Sequence, residues 1–340
     1  PRLAATPAAD EAVEFRVLSL AGGGDGSISL EWSPLSGALG YQVEARGDLV
    51  AGSWALYPPV EQWPIRALTW RAAPPDPGLR FFRVVAFVDP QFARGRLLSS
   101  VLFDQLTPAE ITALFTQNSI PVPVTFGVDV YVLAYETVDP HQFRTTASGT
   151  LMVPQGPAGP FSVVSYQHGT IVEKDGTPSA GQGLEYLLGL ALGTDAYVAA
   201  MPDYLGLGDS PGLHPYLHAA SEAAAVIDFL RATREFCQNQ GVVLGEKLFL
   251  VGYSQGGHAT MAAHRRIQEE HAGEFTVTAA APMAGPYDMS GTMASQLLSD
   301  QPYGDPYYLP YVLFAYDAVY DLFDDPAEYL IEPYATILPP

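Results

Sequence analysis

The stretch that decides the fold is Leu248-Phe249-Leu250-Val251-Gly252-Tyr253-Ser254-Gln255-Gly256-Gly257. An apolar run of strand character, Lys247–Gly252, passes through Gly252-x-Ser254-x-Gly256 into a helix-forming segment, Gly256–Glu270. A serine at a sharp strand-to-helix turn is lifted clear of the sheet and presented to solvent. Side chains two residues either side of it would collide, so Gly252 and Gly256 relieve the crowding. The helix that begins there aims N–H groups at the serine, which favours a developing negative charge. Ser254 therefore reads as a nucleophile and the N–H of Gln255 as a donor to an oxyanion. The bland alternative is a glycine-rich turn whose serine caps a helix. The strand before the motif and the helix after it favour the nucleophile.

Outward from this motif, apolar strands alternate with helices, the pattern of an α/β sheet. Val128–Tyr135, Ala147–Val153, Phe161–Tyr166, Ala196–Met201 and Phe275–Pro282 are the other expected strands. Pro108–Phe115, Gly183–Leu192 and Ala219–Phe236 are the expected helices. In the last of these, Glu222, Asp228 and Arg231 stand among apolar neighbours, as in a helix with one face buried. The strand ending at Tyr166 runs into Gln167-His168-Gly169-Thr170. In a fold of this kind the loop after that strand supplies a second backbone donor. Gly169 lets the chain approach closely, and the N–H of Thr170 is the expected donor. His168 precedes the serine and reads as structural. Met201-Pro202-Asp203-Tyr204-Leu205-Gly206-Leu207-Gly208-Asp209-Ser210 is a loop at the carboxyl end of a strand, where such sheets place their sites. Asp203 reads as an acceptor for backbone N–H groups rather than a site residue.

Taken in order, YQHGT, PDYLGLGDS, HPYL (His214–Leu217) and GYSQGGHAT resemble the bacterial secreted-lipase branch of the α/β-hydrolase family over residues 105–340. The resemblance implies an α/β-hydrolase fold, with a mostly parallel sheet and helices on both faces. It also implies carboxylic-ester hydrolysis through an acyl-enzyme, with no metal and no cofactor. The substrate would be a small-molecule, lipid or polyester ester, and the protein would work outside the bacterial cytoplasm. Residues 105–290 form the expected core. Residues 291–340, rich in tyrosine, phenylalanine and proline, resemble a helical cap over an apolar acyl pocket.

The chain departs from that family in one respect. A serine hydroxyl needs a base, and the base an orienting acid, in the order Ser…Asp/Glu…His. The histidines after Ser254 are His258, His264 and His271, on or just beyond the helix that leads away from it. The triad acid and histidine are therefore expected beyond residue 340, on a longer chain or on a separate C-terminal fragment. Asp288, Asp300 and Asp317 give no basis for choosing among them. Asp321, Asp324 and Asp325 lack calcium-loop spacing and read as a solvated helix end. A peptidase of the same fold, or a binding protein with a degenerate hydrolase part, are the alternative readings.

All four tryptophans lie within the first 70 residues, and all seven histidines lie from His141 onward, so two units are expected. Residues 12–104 carry short alternating segments, Ser27–Trp32, Gly40–Ala45, Ala67–Ala72, Arg80–Val88 and Leu97–Phe103. They resemble a fibronectin type III-like, immunoglobulin-type β-sandwich. Gly22–Gly26 is a turn between strands and not a phosphate cradle, since no helix follows it.

The net charge of −21 over 340 residues, with Lys174 and Lys247 the only lysines, repels phosphate backbones and argues against nucleic-acid binding. No apolar run reaches membrane-spanning length. Cys237, the single cysteine, falls in an apolar helical run and reads as a buried structural thiol. Pro1-Arg2-Leu3-Ala4-Ala5 shows no signal-peptide pattern, which suggests a trimmed form or a protein without a signal.

Overall fold

The computed structural model describes residues 16–50, 52–57, 60–73, 79, 81–156 and 158–337. The opening Pro1–Ala5, residues 12–15 of the expected sandwich, Arg80 and the terminal Pro340 lie outside them. The chain divides into two compact units.

The smaller unit holds residues up to 93 together with 138–145. Its strands are β1 (Val17–Gly22), β2 (Ile28–Trp32), β3 (Ala38–Arg46), β4 (Ala55–Leu56), β5 (Thr69–Ala72) and β6 (Phe81–Val88). They form two three-stranded sheets, in the orders β1-β2-β5 and β4-β3-β6. Both sheets feed one core. Leu30, Trp32 and Trp70 from the first meet Tyr41, Val43, Ala45 and Val84 from the second. Burying the large tryptophan and tyrosine rings between the sheets is the main drive to order in so small a unit. Gly22 pairs with Ile28 across an antiparallel hairpin, so Gly22–Gly26 is a turn between strands, as read from the sequence.

The larger unit holds residues 94–137 and 146–340. It contains β7 (Leu97–Leu106), α1 (Pro108–Gln117), β8 (Val128–Val138), β9 (Arg144–Pro154), β10 (Phe161–Gln167) and α2 (Gly183–Thr194). After these come β11 (Tyr197–Pro202), α3 (Ala219–Gln240), β12 (Leu244–Tyr253), α4 (Gln255–Glu270) and β13 (Val277–Met283). Short helix α5 (Ala294–Leu297), helix α6 (Tyr308–Tyr320) and short helix α7 (Tyr334–Ile337) follow. Seven strands make one sheet, β13-β12-β10-β11-β9-β8-β7. β11, β10, β12 and β13 run parallel, and β9 meets β11 antiparallel.

Leu97–Phe103 corrects the expectation that it belongs to the sandwich. As part of β7 it pairs antiparallel with β8 at the edge of the large sheet. The unit boundary accordingly falls at residues 93–94 and not 104–105. Period-2 alternation marks a half-buried strand but carries no information about which sheet it joins.

The sheet buries both faces, and adjacent residues of one strand serve opposite sides. Leu151, Val198 and Ala200 join a core with α3 and α4, while Met152, Ala199 and Met201 join another with α1 and α2. Strand side chains alternate, so a strand covered on both sides must be apolar throughout. α3 ends on Gly241 in the left-handed conformation, φ 71°, which caps its last carbonyls.

Candidate active site

Gln167, the last residue of β10, pairs in register with Gly252 of the parallel neighbour β12. The two loops that leave these strands therefore start side by side at the carboxyl edge of the sheet. From β12 the chain turns at Ser254, φ 58° and ψ −123°, directly into α4. A non-glycine residue in that region is strained and persists only where its surroundings over-determine it. Here the Ser254 N–H donates to Met283 O at 3.0 Å, and the Ser254 carbonyl accepts from the N–H groups of Gly257 and His258. The glycines are obligatory on steric grounds. A Cβ on Gly252 would lie 2.1 Å from Gly256 O, and one on Gly256 would lie 1.9 Å from Gln167 O. Ser254 itself is half-buried.

The loop after β10 closes on the serine. A Cβ on Gly169 would stand 3.9 Å from Ser254 Cβ. Glu185, in the first turn of α2, fixes this loop. One carboxylate oxygen accepts from Gly169 N–H at 3.0 Å and the other from the Tyr166 hydroxyl at 2.6 Å. With Gly169 N–H engaged, the next one, of Thr170, meets no acceptor among the described residues; nor does the N–H of Gln255. Both N–H groups are thus unspent.

His168 is fully buried, with Nδ1 2.7 Å from Gly169 O and Nε2 3.2 Å from Asp203 O. Both ring nitrogens face carbonyl oxygens, which suits a strut. Asp203, also buried, accepts from Ser148 Oγ at 2.7 Å, and burial raises its pKa. Its place is within the loop after β11, as a structural acceptor.

A buried polar cluster beneath the turn was not anticipated. Glu222 on α3 is 1% exposed. It accepts from His258 Nδ1 at 2.6 Å and from Gln255 Nε2 at 3.0 Å. The second amide hydrogen of Gln255 points at His214 Nε2, 2.7 Å away. His214 Nδ1 faces Leu205 O at 2.7 Å and so carries the proton, which leaves Nε2 as the acceptor. Burial pushes His214 down to about 4, so it is neutral at neutral pH. The sequence offered one signal, a glutamate among alanines in the first turns of α3. His258 is therefore turned toward α3, and His271 lies at the far end of α4.

Helix α6 packs on the same region. Tyr308, Tyr311 and Tyr316 cluster on Tyr216 and Leu217, and the Tyr311 hydroxyl donates to Ile171 O at 2.9 Å. Asp288, one of the carboxylates left open, caps a turn through Gly291 and Thr292 N–H. Cys237 is buried and desolvated, which pushes its thiol up to about 12. Among the described residues no group of three or more His, Cys, Asp or Glu could hold a metal ion, and no helix is long and apolar enough to cross a membrane.

Sheet order, flanking helices and the turn at Ser254 together define an α/β-hydrolase fold. A family model of secretory lipases matches residues 180–297. The ligand-bound form of the rice cell wall degrading esterase LipA from Xanthomonas oryzae superimposes with a TM-score of 0.67 at 32% identity, over 72% of this chain and 66% of that one. A protein from Legionella pneumophila superimposes with a TM-score of 0.66 at 29% identity, over 71% and 66%. The chain thus spans just under two thirds of the length of each. No curated protein matches it. The chain thus has the α/β-hydrolase fold and is similar to secretory lipases over residues 180–297.

Proposed function

We propose that this protein is a secreted carboxylic-ester hydrolase in which Ser254 is the nucleophile. Ser254 Oγ attacks the ester carbonyl carbon as its proton passes to a base. The carbonyl oxygen becomes an oxyanion, held by the N–H groups of Gln255 and Thr170. Collapse of the tetrahedral intermediate expels the alcohol with that proton and leaves an acyl-serine. Water then attacks the acyl-serine, releasing the acid and restoring the hydroxyl. The reaction needs a base and a group that orients it. His258 is already engaged by Glu222.

The observation that carries the reading is the backbone at Ser254, strained at φ 58° on a strand-to-helix turn with the unspent N–H of Gln255 directly after it. The family match and the likeness to LipA support an ester substrate, and the smaller unit is read as a fibronectin type III-like accessory module. The test is labelling of the complete native protein with a fluorophosphonate probe, followed by peptide mapping. Label on Ser254, lost in Ser254→Ala together with turnover of p-nitrophenyl butyrate, is the expected result. An unlabelled protein, or equal labelling of the variant, overturns it.

A further inference from the structure

We infer that the segment His214–Leu217 is a clasp that sets the position of the two oxyanion donors relative to each other, His214 gripping the Gln255 side and Tyr216 the Thr170 side. This rests on the catalytic reading above and extends it to residues that need not touch the substrate. The two donors belong to loops that leave different strands. Sheet register fixes where those loops begin but not where they run, and donors aimed at a developing charge must be placed within about 0.5 Å to be effective.

The grip on the Gln255 side is the pair already described, Gln255 Nε2 to His214 Nε2 at 2.7 Å, with the imidazole held in turn by Leu205 O. On the Thr170 side, the Tyr216 hydroxyl lies 2.8 Å from Thr170 Oγ1. Tyr216 is 3% exposed, and its ring stacks on Tyr311 with centroids 4.4 Å apart at 15°. Tyr311 also binds the carbonyl of Ile171, the residue after Thr170, so two stacked rings grip consecutive residues of the oxyanion loop.

The two gripping residues are two positions apart and are joined by Tyr216 N–H donating to His214 O at 2.8 Å. A separation so short, closed on itself, behaves as a rigid spacer. The next residue, Leu217, sits at φ 58°, a conformation unfavourable for a leucine. Its carbonyl accepts from the Tyr316 hydroxyl at 3.2 Å, so α6 holds the strained residue in place. Tyr204, Leu217 and Ser254 are all non-glycine residues with positive φ near this site, the clustering expected where geometry is set for function.

Tyr216→Phe tests the clasp, because it removes one hydroxyl and keeps the stacked ring. Thr170→Val removes the same bond from the other side while keeping the backbone N–H. In the complete enzyme each is expected to lower kcat on p-nitrophenyl butyrate about 10-fold with KM within roughly two-fold. The double variant is expected to be no worse than either single one, since both delete one interaction. Affinity for a trifluoromethyl ketone analogue, which mimics the oxyanion, should fall by the same factor as kcat. Unchanged kcat in both variants, with Ser254 still labelled in the parent, overturns the clasp and leaves the serine reading standing. A fall in thermal stability with analogue affinity retained also overturns it, since that is mere packing. If one variant fails to fold, the other decides. An unlabelled parent refutes the catalytic reading itself.

Discussion

The carbonyl oxygen of Gln167 lies against the α-carbon of Gly256, 1.9 Å from where a Cβ on that glycine would stand. Through this contact the end of β10 fixes the start of α4, and with it the turn that presents Ser254. Gly252 faces the same restriction from the other side, 2.1 Å from Gly256 O. Backbone atoms crowd both positions, so no side-chain rotation can make room.

Gly256→Ala should therefore destabilise the protein by about 3 kcal/mol, at the upper end of overpacking costs. In a unit of this size that lowers Tm by roughly 6 °C. Calorimetry of parent and variant checks it, and a shift below one degree would mean that the turn is softer than its geometry implies.

The parts of this site legible in the sequence are those whose constraint is local. Ser254, Gly252 and Gly256 sit within five residues, and the strand and helix around them announce the turn. Gly169 and Thr170 follow from the strand before them. The cluster under the turn was hidden because its contacts are long-range. Gln255 meets Glu222 across 33 positions and His214 across 41, and Thr170 meets Tyr216 across 46. Glu222 and Asp228 read as polar positions on an amphipathic helix, but the helix is buried nearly all round and both carboxylates lie inside. For the fold, strand positions were readable from alternation in the first hundred residues and from apolar runs after them, and the helices from their apolar period. Membership of β7 in the larger sheet was not, because pairing is decided by partners and not by the strand's own pattern.

His214 gives the protein a pH-dependent stability of defined sign. Its folded pKa of about 4 lies below the ordinary value of 6.5, so the unfolded chain binds the proton first as pH falls. The stability that this residue contributes is present above pH 6.5 and is lost as pH drops toward 4. A depression of that size corresponds to about 3 kcal/mol. Urea unfolding of parent and His214→Asn at pH 7 and pH 4.5 checks it. The stability gap between them should narrow at the lower pH; an equal gap at both would show that the imidazole is not held neutral.

Cys237 is 1% exposed, and desolvation pushes its thiol up to about 12. The reactive species is the thiolate, so the folded protein should be inert to Ellman's reagent at pH 8. One thiol per chain should appear once urea unfolds it. Stoichiometric reaction of the folded protein within minutes would contradict the buried position.

Asp228 is the buried charge on which the largest stability effect is expected. Its side chain is fully buried, yet it accepts from Arg94 Nη2 at 2.9 Å, Arg231 Nη1 at 2.8 Å and the Thr137 hydroxyl at 2.7 Å. The guanidinium groups are themselves about one fifth exposed. The intact cluster contributes little net stability, because desolvating the charges offsets most of the Coulombic gain. Removing its centre is different, since the mostly buried Arg94 would lose its carboxylate partner and Arg231 would keep only Glu274, at 2.6 Å. Asp228→Ala should cost about 3–5 kcal/mol, whereas Asp228→Asn, which keeps the shape and one acceptor, should cost less. Urea denaturation midpoints of the two variants check the ranking. If alanine were tolerated as well as asparagine, the arginines must reach water when the carboxylate is gone, and the cluster would count as a surface network that happens to be covered.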